Sequence, residues 1–268
     1  MCCASLKIWP FIPLNMMPRE EFDCSPQDFP IGRPCWNDAS FQTLLERHPK
    51  LQAMTDYLPS DLKTIIFEGQ RDIETLRSSY KDHGYGYFFY ALTQVLKPTR
   101  CVEIGVLQGF SLLTVAAALR DNQWGYVHGF DLFEDYPYSY ENYGDVLQRI
   151  KACGLQGWAQ AHRADAFQVH EYFDSLDYLH VDISNNGDTY RQIFANWASK
   201  VGHVILLEGG SAARDRVEWM VKYEKPSIVS AIKEIARANQ EWTITVLEPY
   251  PSLTVAIRSD SLAGLRIL

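Results

Sequence analysis

The chain has 268 residues, 47% of them hydrophobic, and a formal net charge of −8. That length and apolar share suit one large α/β domain, or a domain with an extension, around a real core. The acidic balance, with no Lys/Arg block of about five or six, argues against a nucleic-acid binder. No apolar run approaches the ~18 residues that span a bilayer, so no membrane segment is expected. The six cysteines (Cys2, Cys3, Cys24, Cys35, Cys101 and Cys153) include no Cys-x-x-Cys pair, which leaves a zinc site unsupported. They read as free thiols of an intracellular, cytoplasmic protein. Cys2 and Cys3 lack a myristoylation glycine or a basic run beside them, so no lipid anchor is expected. Met1–Met17 is apolar but is broken by Pro10 and Pro13 and has no small-residue cleavage site, which argues against a secretory signal.

In chain order, residues 1–40 lack periodicity and carry many Pro, Trp, Phe and Ile residues. They read as an irregular arm packed on a neighbour. Residues 41–98 read as helical. Phe41, Leu44 and Leu45 have helical spacing, and Ile65, Ile66, Ile73 and Leu76 continue it less regularly. Pro59-Ser60-Asp61 breaks the region and starts a new helix, and Tyr87–Leu96 is a helix that stops before Pro98. From residue 101 strands and helices alternate. Strands are expected at Cys101–Ile104, Tyr126–Phe130, Trp158–His162, Leu176–Val181 and Val201–Leu207. Helices are expected at Ser111–Leu119, Glu141–Cys153, Ala166–Phe173 and Thr189–Ala198. In the last of these, Tyr190, Ile193, Phe194 and Trp197 fall on one face. Such alternation predicts a parallel sheet covered on both sides. A further helix starts near Pro226. Trp242–Leu247 and Leu253–Ile257 are strands separated only by 248–252, too short for a parallel crossover, so they form an antiparallel hairpin.

The most informative stretch runs from Cys101 to Ser111. A short apolar strand reaches the acid Glu103, a turn contains Gly105 and Gly109, and an apolar helix follows. Gly105 can take φ > 0, Gly109 clears the helix start, and Ser111 offers a hydroxyl where backbone N–H groups are unpaired. The spacing Glu-x-Gly-x-x-x-Gly-x-Ser is neither the dinucleotide fingerprint nor a P-loop. It resembles motif I of class I S-adenosylmethionine (SAM)-dependent methyltransferases. The mostly parallel sheet closed by an antiparallel hairpin resembles their seven-stranded, Rossmann-like α/β fold. The resemblance covers about residues 85–258, and divides the chain into an N-terminal arm and helical cap (1–84) and a methyltransferase domain (85–268).

Ligands of open α/β sheets bind beyond the carboxyl ends of the strands. The resemblance therefore implies SAM-binding roles for Glu103, Gly105, Gly109 and Ser111 after strand one. It implies Asp131 on the ribose, and Asp165 with the Ala166 backbone at adenine. Asp165 is equally a helix cap. After strand four, His180-Val181-Asp182-Ile183-Ser184-Asn185-Asn186-Gly187-Asp188-Thr189-Tyr190 resembles a segment of small-molecule O-methyltransferases that often bind Mg²⁺. The second acid of that segment is missing, and strand five ends in a single carboxylate, Glu208. Asp182, Asn185 and Glu208 make a thin Mg²⁺ set, so a metal is an alternative and not the reading. Asp182 and Glu208 are the candidate catalytic residues. Glu208 is a base or hydrogen-bond anchor at the acceptor, and Asp182 is a second such acid or a partner of the methionine amino group. His180, inside its strand, reads as a core residue. Arg214, Arg216, Lys222 and Lys225 could recognise a carboxylate or phosphate, or simply form a solvated face. Phe133, Tyr136, Tyr138, Tyr140 and Tyr143 could line a pocket or pack a loop. The segment 82–87 could close over the cofactor.

These features together predict SAM-dependent methyl transfer to a small-molecule acceptor, most simply an oxygen of a sugar or natural-product scaffold. A homo-oligomer is left open. The alternatives are a nucleic-acid or protein methyltransferase, and a SAM-fold protein with another role.

Overall fold

The computed structural model describes residues 38–57, 76, 78–80, 83–135 and 141–260. The expected arm over 1–37, the helix start at Pro59-Ser60-Asp61, the periodic positions Ile65, Ile66 and Ile73, and Asp82, Tyr136, Tyr138 and Tyr140 lie outside the described residues.

Seven strands form one sheet: β1 (Arg100–Ile104), β2 (Tyr126–Asp131), β3 (Ala159–Arg163), β4 (Leu176–Val181), β5 (Val201–Glu208), β6 (Trp242–Leu247) and β7 (Leu253–Arg258). Their order is β3-β2-β1-β4-β5-β7-β6. The β1–β2, β2–β3, β1–β4 and β4–β5 pairs are parallel. Strand β7 pairs antiparallel with both β5 and β6, as the short 248–252 connection requires. Every expected strand is present to within a residue or so at each end.

The described helices are α1 (Ala39–Arg47), α2 (Tyr85–Leu96), α3 (Phe110–Asn122), α4 (Tyr143–Ala152), α5 (Gly187–Trp197), α6 (Glu218–Lys222) and α7 (Ile228–Ala238). They cover both faces of the sheet, because alternate strand residues point to opposite sides. Cys101, Tyr178, Val204, Leu206 and Val255 pack with Phe41, Leu44, Phe88, Phe89, Leu112 and Leu113 of α1, α2 and α3. Val102, Ile104, Leu179, Val181, Ile205 and Leu207 pack on the other side with Tyr190, Ile193, Phe194 and Trp197 of α5 and with Ile228 and Ile235 of α7. The apolar stripe read from α5 is buried throughout.

Local chemistry sets the helix ends. Asn186 caps α5, its side chain accepting from the N–H of Asp188 at 2.9 Å. Helix α7 starts after Pro226 rather than on it, with Ser227 as cap. Asp215, from the connection after β5, accepts from the N–H of Ile228 at 2.7 Å and of Val229 at 3.2 Å. One expected helix is missing: 166–173 contains only a single 3₁₀ turn, Val169–Tyr172. Val169 is the buried residue of that turn, too little apolar surface to hold a full helix on the sheet.

Candidate active site

Strand order reverses between β1 and β4, so the crevice of the sheet opens at their carboxyl ends. The backbones are tied together there. The Asp182 N–H donates to Ile104 O at 2.8 Å, and the Gly105 N–H donates to Phe130 O at 2.8 Å. Gly105 has φ +88°, and a Cβ on it would sit 1.9 Å from the Asp182 carbonyl oxygen. The glycine is therefore required by the approach of β4, not only by space for a ligand. Gly109 has φ +89° and caps α3, and a Cβ on it would make only ordinary contacts, with Val146 at 3.7 Å and Leu113 at 3.9 Å. Backbone conformation alone requires it.

Asp131 organises this turn. One carboxylate oxygen accepts from the N–H groups of Val106 at 2.8 Å and Leu107 at 3.0 Å, and the other from Phe133 at 3.0 Å. Each oxygen has two lone pairs, so capacity remains for a ribose hydroxyl. A second brace was not anticipated from sequence. Glu141, nearly buried, holds the side chain of Gln108 and pairs with Arg149 at 3.0 Å. Arg149 also reaches the Gln108 carbonyl at 3.3 Å. No spacing rule links 108 to 141 and 149; only the folded loop does.

Asp165 is exposed and accepts from the Phe167 N–H at 3.0 Å. This is a local turn contact and not a helix cap, since the 3₁₀ turn begins only at Val169. Ala166 is half-buried beside it. Leu107, Leu132 and Phe167, in the loops after β1, β2 and β3, are all exposed apolar residues. Such side chains beside Asp131 and Asp165 suit the faces of a planar base. Phe133 and Tyr143 pack against each other at 5.3 Å in or against the core and do not line the crevice. His83 meets Tyr250 edge to face with ring centroids 5.3 Å apart, and the Tyr85 hydroxyl donates to Pro249 O at 2.7 Å, so this segment lies beside the β6–β7 loop.

The acids of β1, β4 and β5 converge on one sheet face. Register places Glu103 beside His180. Both are buried. Ser111 donates its hydroxyl to Glu103 Oε1 at 2.8 Å, so it serves the acid of β1 from the first turn of α3. His180 Nε2 and the Tyr80 hydroxyl are 3.2 Å apart. His180 Nδ1 lies 3.6 Å from Glu103 Oε2, too far for a hydrogen bond, and neither atom has another partner among the described residues. His180 is thus a core residue, as expected, and also one link in a polar chain from Tyr80 to Ser111. Parity along β1 and β4 could have revealed that link.

Asp182 follows His180 at the crevice. Burial, then the nearby Glu208 carboxylate, push its pKa up to about 7; His180 and Arg214 oppose the rise. Glu208, read from sequence as a base, is not a free carboxylate. Arg214 grips both its oxygens, Nε at 2.8 Å and Nη2 at 3.2 Å. Burial pushes Glu208 upward and Arg214 pulls it down. Arg214 itself lies 5.2 Å from the Trp219 ring. The solvated-face reading fails for this arginine.

The same pairing bears on a metal. Mg²⁺ needs oxygen ligands in near-octahedral array, but a guanidinium occupies Glu208. Asn185 turns its amide nitrogen to Val181 O at 3.1 Å and Glu208 O at 3.0 Å. Asp182, Asn185 and Glu208 do not fit a Mg²⁺ site as arranged. Among the described residues no group of three or more His, Cys, Asp or Glu side chains is placed to hold a metal.

A seven-stranded sheet in this order, with a glycine turn at the β1–β4 reversal, is the class I methyltransferase fold. Residues 102–204 match the family model described as a methyltransferase domain. Solved structures with this fold include the O-methyltransferase TomG of Streptomyces achromogenes, involved in tomaymycin synthesis and solved with SAM. It is 16% identical with a TM-score of 0.53, over 78% of this chain and 90% of that one. An O-methyltransferase of Bacillus cereus, solved with S-adenosylhomocysteine (SAH), is 17% identical with a TM-score of 0.55, over 77% and 96%. A putative O-methyltransferase of Klebsiella pneumoniae is 15% identical with a TM-score of 0.51, over 82% and 90%. A comparison with curated proteins finds no match.

Proposed function

We propose that this protein transfers a methyl group from SAM to an oxygen of a small-molecule acceptor, of the sugar or natural-product type, in the cytoplasm. The observation that carries the reading is the succession at consecutive strand ends. The Gly105–Gly109 turn follows β1, Asp131 follows β2, Asp165 follows β3 and Asp182 follows β4, all inside or beside a matched methyltransferase domain. Solved proteins of this fold were crystallised with SAM or SAH. In this reading Glu103, Gly105, Gly109 and Ser111 shape the methionine end, Asp131 takes the ribose, and Asp165 with Ala166 takes adenine. Residues 85–268 form the catalytic domain, capped by 1–84.

SAM supplies an electrophilic methyl on a sulfonium. The protein aligns the acceptor oxygen and removes its proton. We assign proton removal to Asp182, whose pKa of about 7 suits a base at neutral pH. Glu208 supports the acceptor side as an anchor, by fixing Arg214.

Methyl-labelled SAM, offered with panels of hydroxylated small molecules, bulk RNA and protein, tests the reading. Label is expected in small hydroxylated products. Label confined to RNA or protein would overturn it in favour of a macromolecular methyltransferase. The formal net charge of −8 argues against a nucleic-acid substrate.

A further inference from the structure

The connection after β5 is tied at two places, and Arg214 sits between the ties. At its start the Gly209 N–H donates to Ser252 O at 2.9 Å, and the Thr254 hydroxyl donates to Gly209 O at 3.0 Å. Gly209 and Gly210 then take φ +98° and +117°, so the chain leaves the strand through conformations that suit glycine. Next comes the 3₁₀ turn Arg214–Arg216, whose three residues are all charged and none of them fully buried. It has no apolar packing of its own, so polar ties must hold it.

The second tie is Asp215. Its Oδ1 accepts from the Ile228 N–H at 2.7 Å, and its Oδ2 from the Val229 N–H at 3.2 Å and the Ser227 hydroxyl at 2.6 Å. Helix α7 has no partners of its own for these N–H groups, and its N-terminus favours a negative charge. Successive side chains of a 3₁₀ turn point about 120° apart. Asp215 thus reaches α7 while its neighbour Arg214 reaches away, to both oxygens of Glu208. One short turn joins the first turn of α7 to the buried carboxylate at the end of β5.

The surrounding charges give that link a consequence. Asp182 and Glu208 face Glu103 of β1, His180 of β4, Tyr80 ahead of α2 and Tyr190 of α5. The Arg214 guanidinium pulls the pKa of both acids down, and His180 is charged only when protonated. With the guanidinium withdrawn, neighbouring buried carboxylates would stand together, and a proton would stay on them to higher pH. Coupled carboxyls titrate as a pair, so this cation sets the pH at which the pair gives up its last proton.

We propose that Asp215 is a positioning residue for the crevice: by pinning the turn 214–216 to the first turn of α7, it keeps the Arg214 fork on Glu208 and so sets the charge carried by the Asp182–Glu208 pair. The brace rests on the contacts of Asp215 and Arg214. Its bearing on catalysis rests on the methyl-transfer reading, in which Asp182 takes the acceptor's proton.

A ¹³C NMR titration of protein labelled at its Asp and Glu carboxyls tests the brace without any acceptor, with Asp182→Asn and Glu208→Gln identifying the two signals. In the wild type the pair should lose its last proton near pH 7. Arg214→Gln should raise that midpoint by about one pH unit or more, as removal of an adjacent opposite charge does. Asp215→Ala, which leaves the arginine in the chain, should raise it by at least about half as much. Loss of the Asp215 charge by itself would lower the midpoint, so a rise reports the arginine. Asp215→Asn, whose NH₂ meets a backbone N–H in either orientation, should give a smaller rise, and serves where Asp215→Ala does not fold. The double variant Arg214→Gln/Asp215→Ala should titrate no higher than Arg214→Gln alone, because the two changes act on one interaction. A midpoint unmoved or lowered in the Asp215 variants, one unmoved in Arg214→Gln, or a double variant that rises above Arg214→Gln overturns the brace. If the midpoints move as expected while labelled SAM yields no methylated small molecule, the brace stands and the methyl-transfer reading falls.

Discussion

At the scale of single residues, the chemistry centres on which carboxylate is free. Two acids reach the crevice from β4 and β5, and the sequence reading favoured Glu208 as the base or anchor at the acceptor. Arg214 argues for the other acid, because it engages both oxygens of Glu208, and Asp182 is the proton acceptor we propose. With its pKa raised to about 7, Asp182 is mostly protonated below neutrality and ionised above it. Turnover is therefore expected to rise with pH along a single-proton limb with its midpoint near 7. Asp182→Asn should lower kcat by about 10²–10⁴ while SAH still binds. A pH–rate profile of both proteins checks this; a wild-type rate that is flat from pH 6 to pH 8 would remove Asp182 from the base role. The linkage runs the other way for stability. A carboxyl whose folded pKa is raised favours the folded state at low pH, and that contribution is lost as pH rises from the ordinary value of 3.8 through about 7. The Arg214–Glu208 pair was illegible in sequence for a physical reason. The two residues lie six apart across an irregular connection, and no periodicity says where such a side chain turns. Asn185, by contrast, stood in the segment already singled out, and only its hydrogen bonds were missing.

At the scale of elements, strands were more legible than helices. The strands β1, β4, β5 and β7 are runs buried on both faces, and a continuous apolar stretch survives any detail of packing. The α5 stripe was legible because four large side chains share a face. The helix expected at 166–173 is absent where Phe167 and Tyr172 are both exposed and bury nothing on the sheet. Polar residues within strands carried the least signal. His128 of β2 and His162 of β3 face each other, Nδ1 to Nε2 at 2.9 Å. Burial, aided at His128 by the other ring, lowers the pKa of each. One ring must donate and the other accept, so the pair holds together with at least one ring neutral. A folded pKa below the ordinary 6.5 means the unfolded chain binds more protons there. Stability should therefore fall as pH drops through that value and below. A double His128→Gln/His162→Gln variant should show a shallower loss of Tm between pH 7 and pH 5 than the wild type. Parallel pH dependence in the two proteins would place the effect elsewhere.

At the scale of the whole molecule, sheet order makes the site. Reversal between β1 and β4 opens one crevice, and the acids, glycines and caps gathered there come from five strands and the loops after them. The fold could be read from the alternation of elements and the closing hairpin, and the order of site residues followed from it. What the sequence could not supply was the bracing: Glu141 and Arg149 on the glycine turn, Ser111 on Glu103, and Asp182 O against Gly105. The last contact changes the meaning of the glycine. An alanine there would press its Cβ into a backbone carbonyl at the point where β1 and β4 meet. Among the described residues no helix is long and apolar enough to cross a membrane.

The central claim is that this crevice binds SAM, and isothermal calorimetry with SAH tests it most directly. The wild type should bind one SAH per chain with a dissociation constant on the order of micromolar, about −8 kcal/mol. Gly105→Ala should weaken binding at least about tenfold in protein that circular dichroism shows to be folded. A folded wild type that takes up no SAH at about 1 mM, or a Gly105→Ala protein that binds it as tightly as the wild type, would contradict the account.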